Sequence, residues 1–389
     1  MLEPLATAHL PPGVRARHIA HVNGLRMHVL EAGEAGRPLL LLLHGFPELA
    51  YSWRNIMLPL AEAGYHVVAP DQRGYGRTEG PVPVYDEDLT PYGPLGYVRD
   101  ALALVAALGH TEVACVIGHD FGAPVAGNAA LARPDVFRAV VMMSAPYGGP
   151  RAWPLGEQAV AEGLAGLASP ALHAALARLD PPRRHYQWFY STREADADMH
   201  RAPQGLHAFL RAYYHHKSAD WAANKPHPLG DFTAEALAVM PTYYIMPAGL
   251  GMAATVAAEM PDAAAIAANR WLPEAALAVY AAEYGRTGFQ GGLQSYRCTT
   301  SGQAAAEMRL FAGRGIEVPA CFIAGSSDWG VHQKPGEFER MQGQNSKDAG
   351  CRDLRGCHLV PGAGHWVQQE QAEVVAGLVR AFLKGLSPG

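Results

Sequence analysis

The chain has few cysteines, few charges and no long apolar run. Its five cysteines are an odd number at irregular spacing among 389 residues, which is not typical of a disulfide framework. Cys351 and Cys357 are close enough in sequence to pair, but no other feature indicates an oxidising compartment. No segment approaches about 18 consecutive apolar residues, so no membrane span is predicted. The first residues lack the apolar stretch of a secretion signal, so we expect the protein in the cytoplasm.

Charged side chains make up 17% of the residues, and the formal net charge is -5. That balance gives no electrostatic case for a nucleic-acid partner, and no basic run indicates a membrane surface. In contrast, 49% of the residues are hydrophobic, enough to bury a large core. The length fits two or three domains, or one large α/β unit with an insertion. The sequence leaves open whether the protein is a monomer or a homodimer.

Short apolar runs recur along the chain and alternate with helical stretches. The run Leu39–Leu43 ends before a Gly and a Pro, which is typical of a strand buried on both faces of a parallel sheet. Further strands are predicted at Met27–Glu31, His66–Ala69, Val113–Ile117, Ala139–Met143, Ala320–Ile323 and Cys357–Val360, and helices at Tyr97–Leu108 and Ala123–Ala132. This alternation predicts an α/β fold with a mostly parallel sheet flanked by helices.

The alternation stops between residues 148 and 305. This part is rich in alanine, aromatic residues, histidine and proline, shows no clear buried strand, and its alanine bias favours helix. We interpret it as a helical cap inserted into the sheet domain. The predicted division is a first core part at residues 1–147, a cap at 148–305 and a second core part at 306–389. A polar loop is expected at Gln342–Arg355, before the last strand.

The segment Val116–Ala123 has the form of a nucleophile elbow, in which the reactive side chain lies on a sharp strand-to-helix turn between small residues. The reactive position holds Asp120 instead of serine. A hydroxyl there would indicate an esterase or peptidase, whereas a carboxylate displaces at an sp³ carbon and forms an alkyl ester with the enzyme. Asp120 therefore predicts an epoxide or an alkyl halide as the substrate. An aspartate that only caps a helix is the alternative, which the flanking glycines disfavour.

Asp120, Asp328 and His365 follow the chain order of triads built on such an elbow, with the nucleophile first, the orienting acid second and the histidine last. Asp328 follows the predicted strand at Ala320–Ile323, and His365 lies in a glycine-bearing loop. All three are therefore expected at the carboxyl ends of strands, where the chemistry of open α/β sheets gathers. In this interpretation His365 is the general base and Asp328 orients it.

These residues lie in motifs that resemble those of the epoxide hydrolases, a family with the α/β-hydrolase fold. The motifs are His44-Gly45-Phe46-Pro47, Asp71-Gln72-Arg73-Gly74-Tyr75-Gly76 and Gly118-His119-Asp120-Phe121-Gly122. The resemblance implies that the main-chain N–H groups of Phe46 and Phe121 form an oxyanion hole, and that the Phe46-Pro47 peptide is cis. Trp is more usual at position 121 in the family, but the oxyanion hole requires only a main-chain N–H there.

Other residues of these motifs are expected to have supporting roles. Asp71 and Arg73 are expected to pair with each other within their loop. His44 and His119 are expected to support the site and not to act as bases.

Two segments of the cap resemble the parts of epoxide hydrolases that carry a pair of tyrosines. They are His185–Phe189, with Tyr186, and Gly288–Arg297, with Tyr296. Phenols have a reference pKa of about 10, so they stay protonated at neutral pH and can donate to a leaving epoxide oxygen. A halide needs no proton, so the pair favours an epoxide. Neighbouring phenols remain as alternatives, namely Tyr190 for the first position and Tyr280 and Tyr284 for the second.

The sequence thus predicts an epoxide hydrolase that forms a vicinal diol through a covalent aspartyl ester. The reaction needs only the substrate and water, so no cofactor is expected. No metal ion is expected either, because the adjacent His215 and His216 cannot face the same way on a helix and so do not form a metal site. A haloalkane or haloacid dehalogenase is the first alternative, disfavoured because Phe121 replaces the Trp that often holds the halide. A non-catalytic ligand-binding protein of the same fold is the second, disfavoured by the complete triad. The particular epoxide is not specified.

Overall fold

The computed structural model describes residues 1–150, 169–343 and 349–386. Its strands are β1 (Arg15–Val22), β2 (Leu25–Ala32), β3 (Leu39–Leu43), β4 (His66–Pro70), β5 (Cys115–His119), β6 (Val140–Met143), β7 (Arg183–His185), β8 (Ile245–Pro247), β9 (Ala320–Gly325) and β10 (Leu354–Val360). Its helices are α1 (Arg54–Glu62), α2 (Pro94–Ala107), α3 (Gly122–Ala132), α4 (Pro170–Ala177), α5 (Tyr186–Tyr190), α6 (Ala195–His200), α7 (Leu206–Lys217), α8 (Ala234–Leu237), α9 (Met252–Ala257), α10 (Ala263–Ala268), α11 (Glu274–Thr287), α12 (Gln290–Thr300), α13 (Gln303–Met308), α14 (Glu337–Gln342), α15 (Val367–Glu370) and α16 (Ala372–Lys384). Short 3-10 turns lie at Thr7–His9, Ala50–Trp53, Thr90–Tyr92, Arg309–Phe311 and Trp329–Val331.

The main sheet has eight strands in the order β1-β2-β4-β3-β5-β6-β9-β10. The pairs β1-β2 and β2-β4 are antiparallel, and all neighbours from β4 onward are parallel. The predicted α/β fold with a mostly parallel sheet is confirmed. Every residue of β3 is buried, and alternate leucines enter different cores, with Leu40 and Leu42 in one and Leu39 and Leu41 in the other. An uninterrupted apolar run is what two covered faces require.

The first strand, β1, was not expected from the sequence. Only Ile19 and Val22 of its eight residues are buried, so it contains no apolar run that marks a strand. It pairs with β2 through a tight turn in which Asn23 and Gly24 have positive φ values of 48° and 81°. At the other edge, β10 begins at Leu354, within the predicted polar loop. Residues 344–348 of that loop lie outside the described residues.

The chain between β6 and β9 is mainly helical, and we call this segment the cap. It contains α4 to α13, and the alanine-rich part forms α9, α10 and α11, as its composition predicts. It also contains an antiparallel pair, β7 and β8, that was not expected because each strand has three residues. Residues 151–168 of the predicted cap lie outside the described residues.

The expected pairing of Asp71 with Arg73 is wrong. Asp71 Oδ2 lies 2.8 Å from His28 Nδ1, and its other oxygen accepts the N–H of Ala50 at 2.9 Å. Arg73 instead forms a two-pronged ion pair with Asp100, with N···O distances of 2.8 and 2.6 Å. The Asp71 carboxylate accepts the main-chain N–H groups of Ala50 and Arg77, so both of its oxygens are occupied, and Arg73 extends toward α2.

The five cysteines are all free, with Cys351 buried and Cys357 exposed. The two candidates for a disulfide are therefore unpaired, in line with the sequence. None of the described helices combines the length and the apolar character that a membrane crossing requires.

Candidate active site

Asp120 lies at the tip of a sharp turn between β5 and α3. Its φ of 51° is in the left-handed region that non-glycine residues rarely adopt. The turn closes because the flanking glycines lack side chains. A Cβ at Gly118 would lie 2.0 Å from the carbonyl oxygen of Gly122, and one at Gly122 would lie 2.1 Å from that of Leu43. The sequence motif is thus a steric requirement of the turn.

The Asp120 carboxylate is held from two sides. The main-chain N–H of Phe46 donates a hydrogen bond of 2.9 Å to Oδ1, and His365 Nε2 lies 3.2 Å from Oδ2 without the alignment of a hydrogen bond. Burial raises the pKa of Asp120, but His365 and Lys217 outweigh it and hold the pKa well below the ordinary value. The carboxylate is therefore ionised and able to attack as a nucleophile.

His365 is oriented by two groups on its other ring nitrogen. Nδ1 lies 3.1 Å from Asp328 Oδ1 and 2.9 Å from the hydroxyl of Ser144, and all three side chains are buried. Burial raises the pKa of Asp328, but His365 and the N–H of Gly330 lower it below the ordinary value. An ionised Asp328 can accept the Nδ1–H, which orients the ring so that Nε2 faces Asp120.

Tyr186 and Tyr296 lie together on the cap side of Asp120. Both line the same cavity as Asp120, and their ring centroids are 5.9 Å apart. Gln187 donates to the Tyr186 hydroxyl at 3.1 Å. Burial, reinforced by other groups including Asp120, raises the pKa of both phenols well above the ordinary value. Both therefore hold their protons at neutral pH and can donate them into the cavity.

The alternative tyrosines are engaged elsewhere. Tyr190 is fully buried, and its hydroxyl donates to that of Tyr213 at 3.1 Å. The Tyr280 hydroxyl lies 2.8 Å from that of Ser52, and the Tyr284 hydroxyl donates to the carbonyl of Glu48 at 3.0 Å.

The cavity above Asp120 has a volume of about 280 Å³. Apart from Asp120, the tyrosines and a few polar residues, its walls are apolar and include Phe121, Val125, Ala145, Ala304 and Met308. A neighbouring cavity of about 350 Å³ shares the lining residues Pro124, Asn128, Ala305, Met308 and Lys334 with it, so the two cavities are adjacent. An apolar pocket with a few convergent polar groups is typical of a small-molecule site.

Comparisons with known proteins show the family to which the chain belongs. A sequence profile described as the alpha/beta hydrolase fold matches residues 38–372. Epoxide hydrolase A of Mycobacterium tuberculosis is 32% identical over 380 residues, which cover 96% of this chain and 99% of that protein. An epoxide hydrolase of Caballeronia sordidicola is 32% identical over 97% of this chain and 96% of its own length.

The chain belongs to the epoxide hydrolases of the α/β-hydrolase fold. Solved structures support the same assignment. The crystal structure of epoxide hydrolase A from Mycobacterium thermoresistibile has a TM-score of 0.74 at 31% identity and covers 97% of this chain and 100% of that one. Potato (Solanum tuberosum) epoxide hydrolase I has a TM-score of 0.72 at 30% identity, covering 96% of this chain and 100% of its own.

The motif loops of this epoxide hydrolase surround Asp120. The Phe46-Pro47 peptide is cis. Phe121 begins the turn into α3, so its main-chain N–H belongs to the first turn of that helix, and its ring lines the cavity. His44 accepts the N–H of Gln72 at 3.1 Å on Nε2, so it holds two loops together. The ring of Phe121 offers no N–H to a halide.

His119 and Glu48 form a buried ion pair next to His365, and the sequence analysis anticipated only the His119 partner. His119 Nε2 donates to the carbonyl of His365 at 2.6 Å, and its Nδ1 lies 2.6 Å from Glu48 Oε2, with both side chains fully buried. Burial lowers the pKa of His119, but Glu48 outweighs it and raises the pKa above the ordinary value. The amides of Gln368 and Gln369 donate to the other oxygen of Glu48 at 2.9 and 3.2 Å. The pair therefore supports the main chain of His365.

Sequence reasoning expected a supporting His119 but missed Glu48 and Ser144. Each comes shortly after a strand end, at Leu43 and Met143, and that position was the only available signal. Lys217 was also missed, since it lies at the end of a cap helix far from any motif. The doublet of His215 and His216 belongs to that helix, and within the described residues no group of three or more potential metal ligands lies together.

Proposed function

We propose that this enzyme opens an epoxide to a vicinal diol through an ester of Asp120. The observation that carries the proposal is the single cavity shared by an ionised carboxylate and two protonated phenols, those of Tyr186 and Tyr296. A carboxylate oxygen of Asp120 attacks one epoxide carbon, and the bond between that carbon and the ring oxygen breaks. The ring oxygen takes a proton from the tyrosine pair as it leaves, which gives a hydroxyalkyl ester.

In the second half of the reaction, His365 takes a proton from a water molecule, which attacks the carbonyl carbon of the ester. The bond between that carbon and the diol oxygen then breaks as the diol oxygen takes the proton from His365, and the proton of the new carboxyl group returns to the tyrosine pair, which restores the ionised Asp120. Asp328 holds the ring and stabilises the imidazolium that forms. The main-chain N–H groups of Phe46 and Phe121 stabilise the oxyanion, and the loss of one such donor typically costs about 3 kcal/mol. The hydrogen bond from Phe46 to Asp120 Oδ1 supports this role, because the donor already faces the atom where the charge develops. The cycle draws on side chains and water alone, so it needs no cofactor.

A single turnover in ¹⁸O-water tests the covalent step. With the enzyme in excess, we expect the first diol to carry an unlabelled oxygen from Asp120, and the label to enter the carboxylate. Label in the diol at the first turnover would mean direct attack by water and would refute the ester. Halide release from bromoalkanes without any epoxide turnover would instead indicate a dehalogenase.

The cavity points to small apolar epoxides. Its volume of about 280 Å³ is slightly below the usual range of about 300 to 1,000 Å³ for small-molecule sites, and its walls are mainly apolar. We therefore expect styrene-type and short terminal epoxides to be turned over faster than bulky internal ones. A screen of these three groups by kcat/KM measures this directly, and a preference for the bulky epoxides would contradict it.

We further propose that residues 148–305 act as the cap over the two core parts at 1–147 and 306–389. Both cap tyrosines belong to this segment, whereas the triad belongs to the core. All proposed site residues come from one chain, so the reaction is compatible with a monomer or a homodimer. A reducing compartment such as the cytoplasm fits the five free cysteines.

A further inference from the structure

The side chain of Glu370 joins the loop that carries His365 to the cap. Glu370 is the last residue of α15, which follows this loop directly. Its Oε2 accepts the main-chain N–H of Gly364 at 2.9 Å, and its Oε1 accepts that of Trp366 at 2.9 Å. The same Oε2 also accepts the N–H of Ala219, just beyond the end of α7, at 2.8 Å. One carboxyl group therefore holds the residues on both sides of His365 and a residue of the cap.

The loop of His365 and the end of α7 also contact each other directly through their main chains. The N–H of His365 donates to the carbonyl of Lys217 at 2.9 Å. A Cβ at Gly364 would lie 2.5 Å from the nitrogen of Ala219 and 2.7 Å from the carbonyl oxygen of Lys217, so only a glycine fits there. The place of the His365 main chain is thus set by the cap as well as by the core.

A carboxyl group suits this position because it offers two acceptor oxygens to three converging N–H groups. Burial raises the pKa of Glu370 to about 8, although these three N–H groups oppose the rise. The oxygens can accept the N–H groups in either protonation state, since a protonated carboxyl group keeps acceptor capacity. A glutamine would differ, because its amide nitrogen can only donate and would face an N–H group that needs an acceptor.

We propose that Glu370 is a positioning residue for the hydrolysis of the ester: it holds the loop of His365 against the end of α7 and so keeps the base in place. The proposal rests on the covalent function proposed above. Asp328 and Ser144 contact only the ring nitrogen Nδ1 of His365, so the main chain of this residue depends on other contacts. Glu370 supplies those contacts on both sides of it.

The two halves of the reaction depend on this position to different extents. A general base must lie within hydrogen-bond reach of the water that it deprotonates, so a small shift of the His365 main chain slows hydrolysis of the ester. Attack by Asp120 on the epoxide needs no proton transfer to His365. The loss of Glu370 should therefore affect the breakdown of the ester and spare its formation.

The test measures the two halves of the reaction separately. Glu370→Gln keeps the size of the side chain but replaces one acceptor oxygen with an amide nitrogen, and Glu370→Ala removes all three hydrogen bonds. Glu373→Gln is the matched control, because Glu373 is exposed and lies in the first turn of the next helix, α16. The rates of ester formation and of ester breakdown are measured after rapid mixing with a styrene-type epoxide at neutral pH.

For both Glu370 variants, we expect ester formation to stay within about twofold of the wild type. Ester breakdown should be roughly tenfold slower in Glu370→Gln and roughly 100-fold slower in Glu370→Ala, because a misplacement of about 1 Å can cost about 100-fold in rate. Glu373→Gln should match the wild type in both rates within about twofold. A merely structural role would lower both rates together.

A double variant shows whether Glu370 acts through the base. When Glu370→Gln is added to His365→Gln, the slow breakdown of the ester should fall by less than about a further twofold, because the base that Glu370 positions is already absent. A structural effect that does not pass through His365 would add to the first loss in full. Mass spectrometry of the intact protein follows the decay of the ester in both proteins.

Wild-type rates of ester breakdown in the Glu370 variants overturn the proposal, and so does an equal slowing of both halves of the reaction. A full tenfold further loss on top of His365→Gln also overturns it. Glu370→Gln carries the test alone if Glu370→Ala fails to fold. Wild-type enzyme that forms no ester would refute the covalent function instead, so the two failures are distinguishable in one set of measurements.

Discussion

The rings of Tyr186 and Tyr296 meet edge to face over the nucleophile, with centroids 5.9 Å apart and planes at 72°. The first ring is carried by α5 and the second by α12, about a hundred residues later. Both tyrosines line one cavity with Asp120. In the proposed mechanism, this meeting of two cap helices over a core carboxylate favours an epoxide among the substrates open to an aspartate nucleophile.

Removing one phenol should slow ring opening. For Tyr186→Phe and Tyr296→Phe we expect the rate of ester formation to fall roughly 10- to 100-fold each, because one of two donors to the leaving oxygen is lost. Pre-steady-state kinetics with a styrene-type epoxide measures this rate. Tyr190→Phe is the matched control, since its hydroxyl is engaged by Tyr213, and its ester formation should change less than about threefold. A larger loss in the control than in Tyr186→Phe would exchange the roles of these two tyrosines.

Removing the base should trap the intermediate. In His365→Gln, the ester of Asp120 should form but break down roughly 10²- to 10⁴-fold more slowly, since no group takes the proton from water. Mass spectrometry of the intact protein should then show an adduct with the mass of the epoxide. Asp120→Asn should give no adduct and no turnover. An adduct that survives in Asp120→Asn would place the nucleophile elsewhere.

The elbow glycines should be sensitive to a single methyl group. Gly118→Ala places a Cβ 2.0 Å from a carbonyl oxygen, so we expect a loss of roughly 3 kcal/mol in unfolding free energy and little active enzyme. Gly377→Ala, within α16, is the contrasting variant because a methyl group there meets no described atom within 4 Å. It should stabilise the protein by about 0.5 to 1 kcal/mol through helix propensity. Urea unfolding of both variants measures the difference, and equal effects would contradict the steric account.

Asp71 should contribute to stability against acid. Burial raises the pKa of Asp71, but His28 and other partners lower it to about 2, below the ordinary value. A lowered pKa means that the stabilisation is present at neutral pH and is lost as the pH falls from about 4 through about 2. Asp71→Asn should therefore be less stable than the wild type by about 2 kcal/mol at neutral pH, with the difference closing toward pH 2. Unfolding midpoints measured across this range check the prediction, and a difference independent of pH would refute it.

The fold could be predicted where the local sequence carries the whole signal. Leu39–Leu43 had to be a buried strand because its five consecutive leucines need apolar cover on both faces. β1 could not be predicted, since most of its residues are exposed and only pairing with β2 defines it. The short strands β7 and β8 could not be predicted either, because only their pairing with each other defines them.

The residues of the candidate site also fall into those that could be predicted from the local sequence and those that could not. The elbow around Asp120 is contiguous, so its glycines and its carboxylate could be recognised together. Ser144, Glu48 and Lys217 could not, because each contacts a site residue that lies far away in sequence. The wrong pairing of Asp71 with Arg73 shows the opposite error, in which nearness along the chain was taken for contact.

The sequence by itself determined the buried strands of the main sheet, the turn that carries Asp120 and the chemical class of the reaction. The strands and the turn depend on neighbouring residues, and the class of reaction depends on the carboxylate at position 120. Only the tertiary structure decided which tyrosines line one cavity with Asp120, which residues contact the ring of His365, and that the carbonyl of Lys217 accepts the N–H of His365. These relationships join segments of the chain that lie far apart in sequence. Burial and charge fix them through the packing of the cap on the core, and no local pattern of residues encodes such packing.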